Sequence, residues 1–318
     1  MDTCTIDVII PVCKPGPLFE KLISGLQRQT KRPSQIILIN TEKKWWDAAP
    51  IAHKRYENGQ TSDGIPVLLR HISAGTYDHG GTRDLAARLS KADILVFMTQ
   101  DAVPADEYLL ENLTASLSGM TAAAYARQLP QEGCRFLEKY TRSFNYGAAS
   151  RLKTKEDLDI LGIKTYFCSN VCAAYVREVY VKQGGFEKRT IFNEDMIFAA
   201  GLIQNGYAVA YEAQARVIHS HNYSALQQFH RNFDLAVSQA DHPEIFEKVP
   251  SEKEGIRMVK STAGYLIRVK KAYLIPELIW QSGWKYLGYF LGKRYRRLPG
   301  KFVLFCSMNK KYWQDKNF

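Results

Sequence analysis

Three stretches carry residues of the types that do chemistry: Asp101 at the end of an apolar run, the Glu194-Asp195 pair, and His219 with His221. Ile94–Met98 is unbroken and apolar, too short for a helix core, and reads as a central strand buried on both faces. Ligands of open α/β sheets bind just beyond the carboxyl ends of such strands, where a carboxylate can hold a divalent metal against a diphosphate. The alternative is that Asp101 caps the next helix. Glu194 and Asp195 open a helix, a favourable place for acids on macrodipole grounds alone. One of them, aimed off the helix axis into a cleft, would equally serve as a general base towards a hydroxyl. His219 and His221 stand two apart, so on a strand both rings point to one face. Packed imidazoles are common in cores, but two on one face at a strand end also suit a metal. A fourth stretch, TYDHGGTR over residues 76–83, offers backbone amides at a helix start and the Arg83 guanidinium to a phosphate. Asp78 and Arg83 can instead close a loop salt bridge.

The surrounding elements must bring these groups together. Ile6–Val12 is apolar and β-branched and reads as a first strand. Leu18, Leu22, Ile23 and Leu26 recur at helical spacing and predict a helix over residues 17–29. Residues 35–40 form a second strand, which makes a βαβ unit with parallel strands and a right-handed crossover. Val67–Ile72 predicts a third strand, residues 80–89 a helix, and the run ending in Asp101 a fourth strand. Strands alternating with helices in this way specify an α/β, nucleotide-binding sheet. No G-x-G-x-x-G follows the first strand and no G-x-x-x-x-G-K-[ST] occurs, which argues against dehydrogenases and P-loop enzymes. Cys13-Lys14-Pro15-Gly16 is likewise a poor phosphate loop for a nucleotidyltransferase.

Beyond Asp101 the alternation stops. Residues 122–128 read as a strand, and residues 129–164 as a polar, irregular segment that is a lid, a binding loop or locally disordered. Residues 168–175 read as a strand near the site, and residues 209–217 as one running back towards His219. Leu226, Phe229 and Phe233, with Arg231 and Asp234 between them, predict a helix beneath the site.

The motifs P-V-C-K-P, D-H-G-G-T-R, T-Q-D-A-V-P, N-E-D and H-S-H-N-Y-S follow one another in this order. Together, over about residues 5–240, they resemble the inverting family 2 glycosyltransferases, most closely their bacterial rhamnosyltransferase-like branch. The resemblance implies a GT-A fold, a Rossmann-like domain for a nucleotide-diphosphate sugar. It implies Asp195 as catalytic base, Asn193 and Glu194 as acceptor-binding residues, and Asp101 with His219 as ligands of Mn²⁺ or Mg²⁺; His221 is then the second choice of ligand, or a contact to phosphate or acceptor. It assigns the donor to Pro11, Cys13, Asn40, Asp78, Gly81, Arg83, Gln100 and Asp101. The implied donor is dTDP-L-rhamnose and the implied acceptor a growing cell-surface polysaccharide on a polyprenyl carrier. The chain departs from the wider family twice: Gln100-Asp101-Ala102 keeps a single acid, and Asn40-Thr41-Glu42 stands where an Asp often meets the nucleoside.

The net charge of +11 is uneven: residues 1–250 carry 28 basic and 28 acidic side chains, and residues 251–318 carry 15 and 4. A neutral body argues against a nucleic-acid partner, and the basic tail reads as an anchor. The expected division is a GT-A domain over residues 1–240 and a basic, aromatic-rich helical extension over residues 241–318, with a polar joint over residues 241–250. Leu278, Trp280, Trp284, Tyr286, Tyr289 and Phe290 beside Lys293, Arg294, Arg296 and Arg297 suit a helix lying on an anionic membrane surface. The same residues could pack on the body or in a homodimer. The six cysteines are scattered, with only Cys168 and Cys172 close and no second pair, so free thiols are expected rather than a zinc site. With no signal peptide or long apolar run, the sequence reads as cytoplasmic, peripheral on the inner face of the plasma membrane. Two rival functions are the same chemistry with another sugar donor and a non-catalytic, membrane-docked assembly subunit.

Overall fold

The structure is a computed structural model that describes residues 4–49, 56–57, 59–249 and 251–314; Pro250 of the predicted joint lies outside the described residues. Its centre is the predicted parallel layer. β1 (Ile6–Val12), β2 (Gln35–Thr41), β3 (Val67–Ile72) and β4 (Ile94–Met98) lie in the order β3-β2-β1-β4. All five residues of β4 are buried, as a central strand between two layers requires. In register, Ile9 of β1 pairs with Ile37 of β2 and Phe97 of β4, so the carboxyl ends of the three strands form one rim.

The helices cover the sheet by burying one stripe each. α1 (Pro17–Gln27) begins with a proline, which suits the first helical turn, and buries Phe19, Leu22, Ile23 and Leu26. α2 (Lys43–Asp47) is a short turn after β2, and α3 (His79–Leu89) is capped by Asp78, whose Oδ2 accepts from the Gly81 N–H. α4 (Leu109–Thr114) then leads to the second half of the sheet.

That half is mixed. β5 (Val103–Pro104) and β6 (Thr121–Leu129) precede α5 (Phe136–Asn145), β7 (Arg151–Lys153) and α6 (Leu158–Leu161). The expected irregular loop over residues 129–164 is thus corrected: it contains a ten-residue helix whose Tyr140 ring stacks on Tyr265 at 4.4 Å. β8 (Cys172–Val176) runs antiparallel between β4 and β6, and α7 (Arg177–Lys182) follows it. α8 (Glu194–Gln204) leads to β9 (Ala208–Ile218), which lies parallel to β6.

α9 (Ala225–Asp241) and α10 (Pro243–Phe246) lead into α11 (Glu252–Arg268), α12 (Ile275–Gly292) and α13 (Gly300–Cys306). α12 packs backbone to backbone on α9: a Cβ at Gly288 or Gly292 would collide with the carbonyl oxygen of Phe229 or Phe233. Phe229, Phe233, Val237, Tyr295, Val303 and Trp313 form a small core between α9 and the last helices. The opposite face of α12 is also apolar yet exposed, with Ile279, Trp280, Tyr286, Leu287 and Phe290 on it. Among the described residues no helix is long and apolar enough to cross a membrane.

Candidate active site

The loop entering β8 ties the predicted groups together. Ser169 Oγ accepts from Gln128 Nε2 of β6 at 3.0 Å. The Asn170 backbone N–H donates to Asp195 Oδ2 of α8 at 2.9 Å. The Val171 carbonyl accepts from Thr99, two residues before Asp101, at 3.1 Å. One tripeptide therefore touches the ends of three elements that carry the candidate chemistry.

On one side of it, His219 and His221 leave the end of β9 and face Asp101. Their Nε2 atoms lie 3.6 and 3.5 Å from Asp101 Oδ2, and the three donor atoms are within 4.8 Å of one another. The next helix, α4, starts only at Leu109, so Asp101 is not a helix cap. Gln128 fixes the tautomer of His219. Its amide nitrogen donates to Tyr146 Oη and Ser169 Oγ, so its Oε1 is the acceptor for both Arg142 and His219 Nδ1, the latter at 3.0 Å. Nδ1 must then carry the proton, which leaves the Nε2 lone pair on the Asp101 side. Burial pushes His219 down to about 3 and holds His221 below its ordinary value, so both rings are neutral at physiological pH. A carboxylate and two neutral imidazole nitrogens form a donor set for a divalent transition ion. His221, the second choice of ligand or an acceptor contact in the sequence, stands with His219 at this carboxylate.

On the other side, Asn193 enters α8 in the left-handed conformation (φ 65°), with its amide donating to the Leu235 carbonyl at 3.4 Å. Glu194 is buried against Arg83, Oε1 to Nη1 3.1 Å, and accepts from Asn170 Nδ2 at 3.4 Å. Burial alone would raise Glu194, but the neighbouring Arg83 and His79 hold it below the usual carboxylate range. Asp195 meets the opposite balance: burial first, then the Glu194 charge, push it up to about 7. The two adjacent carboxyl groups are driven apart, one firmly ionised and one poised near neutrality, which is the pattern of an acid-base site.

The remaining predicted residues fall into two groups. Pro11, Cys13, Asn40 and Asp101 stand at the rim formed by the ends of β1, β2 and β4, and Asn40 leaves its Oδ1 buried with no partner. Gln100 brackets the Cys13 backbone, accepting from its N–H at 2.8 Å and donating to its carbonyl at 2.9 Å. Asp78 and Gly81 are joined in the cap of α3, so that this amide is occupied. Arg83 lies against Glu194 and the His79 carbonyl, not against Asp78, and its Nε is buried with no hydrogen-bond partner.

The model of the Glycosyl transferase family 2 matches residues 7–184. The chain belongs to this family. The transferase is 38% identical over 313 residues to O-antigen chain rhamnosyltransferase RfbN of Salmonella typhimurium, spanning 98% of this chain and 96% of that protein. It is likewise 38% identical over 312 residues to O-antigen chain rhamnosyltransferase WbaN of Salmonella anatum, spanning 97% and 95%. Among solved structures, mannosyltransferase PcManGT from Pyrobaculum calidifontis, in complex with GDP-Man and Mn²⁺, matches with a TM-score of 0.58 at 14% identity, over 92% of this chain and 86% of that one. At that identity the likeness is one of fold, and the fold is the expected GT-A architecture. Sequence reasoning missed Gln128 and Asn170, neutral amides outside every motif. Asn170 precedes β8 and reaches the rim only because β8 runs antiparallel to β4, which brings its amino end beside the carboxyl end of β4.

Proposed function

We propose that this transferase moves L-rhamnose from dTDP-L-rhamnose to a hydroxyl of a growing, lipid-linked cell-surface polysaccharide, with inversion at the anomeric carbon. The observation that carries the reading is the Asp195 carboxylate poised near 7 and linked through residues 169–171 to a separate Asp101/His219/His221 donor set. The near full-length similarity to two rhamnosyltransferases supports the sugar. In the reaction the acceptor hydroxyl gives its proton to Asp195 as its oxygen bonds to the anomeric carbon. The bond from that carbon to the diphosphate breaks, and the nucleoside diphosphate leaves with the electron pair. Asn193 and Glu194 flank the base on the acceptor side. Asp101, His219 and His221 would hold Mn²⁺ or Mg²⁺, the imidazoles favouring Mn²⁺, and the bound ion supplies positive charge to the leaving diphosphate. A single acid would also suit a non-catalytic subunit, but the second imidazole beside Asp101 supports retained metal binding.

Residues 1–240 act as the catalytic domain and residues 241–318 as the extension. The exposed aromatic face of α12, followed by Lys293 and Arg294, supports a peripheral position on the anionic cytoplasmic leaflet. The decisive experiment measures nucleoside-diphosphate release from a panel of nucleotide sugars with lipid-linked acceptor, with and without Mn²⁺. Metal-dependent turnover of dTDP-rhamnose is expected. Turnover of a different donor would discard the sugar, and no turnover of any donor would discard the enzymatic reading. For the membrane, binding to vesicles containing phosphatidylglycerol should fall when Trp280 and Tyr286 are both changed to Ser; equal binding would refute it.

A further inference from the structure

Arg142 of α5 and Arg231 of α9 stand beside the His219/His221 pair, and Lys285 of α12 stands near both of them. Arg142 is held by Gln128, the same amide that orients His219, and by Glu138 at 2.8 Å. Arg231 makes no hydrogen bond or ion pair among the described residues: its guanidinium lies over the rings of Phe192 at 4.6 Å and Tyr223 at 5.8 Å. The Tyr223 ring in turn lies 5.0 Å from that of His221. Gln281, one turn before Lys285 on α12, lines a cleft together with Glu138, His221 and Tyr223. Lys285 has no hydrogen bond or ion pair among the described residues either, and the charges it feels are those of Glu138, Arg142 and Arg231. Of the two carboxylates here, Glu138 is committed to Arg142 and Asp101 faces the two imidazoles, so Arg231 and Lys285 have none of their own.

Arg231 and Lys285 are both only partly buried, so an anion can reach them, and neither has a carboxylate partner to neutralise it. We propose that Lys285, with Arg231 and Arg142, forms a diphosphate-binding pocket, which makes the helical extension a wall of the active site. Guanidinium and ammonium groups suit the non-bridging oxygens of such a group, Arg as a fork and Lys as a point charge. Burial holds the Lys285 ammonium below its ordinary pKa, a state that a bound anion would relieve. The inference rests on the transferase reading above, which supplies two diphosphates: that of the nucleotide donor and that of the polyprenyl carrier.

The test is calorimetric titration of the full chain with inorganic pyrophosphate in the presence of chelator, which removes any metal contribution. Lys285→Gln should bind pyrophosphate roughly tenfold more weakly or worse, and Lys285→Arg should recover most of the loss. Thermal unfolding of both variants checks that they fold. Titration with dTDP and with a short prenyl diphosphate then separates the sources: the ligand whose affinity falls in Lys285→Gln is the one the pocket serves. Equal pyrophosphate affinity in wild type and folded Lys285→Gln, or no binding to wild type, overturns the inference. Lys285-dependent pyrophosphate binding in a protein that turns over no nucleotide sugar would uphold the pocket and remove the transferase reading.

Discussion

Replacing Asp195 by Asn should slow turnover sharply and stabilise the fold at the same time. The Asp195 carboxyl ordinarily titrates near 3.8 and is pushed up to about 7 in the folded protein, by burial and then by Glu194. Between those values the folded chain keeps a proton that the unfolded chain has released. Wild-type stability therefore falls as pH rises across this window, and the full cost is present above about 7. At about 1.36 kcal/mol per pH unit the window sets a ceiling of roughly 4 kcal/mol. Asp195 is only half-buried, so water reduces the expected gain to about 1–3 kcal/mol. Asn at this position keeps an oxygen for the Asn170 N–H and has no charge to desolvate, but it gives up the second oxygen that accepts from the Met196 N–H, which holds the gain to the lower part of this range. Urea unfolding of both proteins between pH 5 and 8 should show the variant's advantage growing with pH, with roughly a third of it present at pH 5. In parallel, kcat should fall about 10²–10⁴-fold, and the variant should lose the rise in rate that the wild type shows as pH approaches 7. A stability gain equal at every pH, or a variant with wild-type kcat, would refute the assignment of Asp195 as a strained base.

Other perturbations follow from single contacts. Gln128→Leu removes the acceptor that fixes His219, so Mn²⁺ affinity by titration should drop about 10–100-fold; an unchanged affinity sinks the tautomer argument. Arg83→Met strands the buried Glu194 carboxylate and should cost about 3–5 kcal/mol in urea unfolding. A loss below 1 kcal/mol, roughly that of an exposed pair, would mean water reaches the site. Gly292→Val drives a side chain into the Phe233 carbonyl and should destabilise by at least about 1–3 kcal/mol. Gly283→Ala, on the same helix with open space around it, should be neutral or stabilising by about 0.5–1 kcal/mol, so equal losses would contradict the described packing.

The parallel half of the fold was legible because each strand there is a short, wholly apolar run between polar stops, as in Ile94–Met98. The helix over Phe136–Asn145 was not. Its buried side is built from Phe136, Leu137 and Tyr140, amid Arg, Lys and Glu, and it takes shape against Tyr265, more than a hundred residues away. Asp101, His219 and Asp195 could be singled out because ionisable side chains at strand and helix ends invite a chemical reading. The ion pair of Arg83 with Glu194 was not legible, because sequence shows a guanidinium near glycines but not the carboxylate, more than a hundred residues on, that folds onto it. Gln128 and Asn170 had no such mark. An amide acquires its role only from the two groups it ends up between, and those are settled by the antiparallel pairing of β6 with β8.

α12 turns one side to the cleft and the other, aromatic, outward, and its glycines lock it onto α9 without slack. The helix is therefore a spacer of fixed thickness. Any surface that its outer face rests on lies about one helix diameter, about 10–12 Å, from the cleft side. The end of an acceptor chain rising from that surface would be met at a set height, by a rigid ruler and not by a tether, and chain ends at other heights would pass the site by.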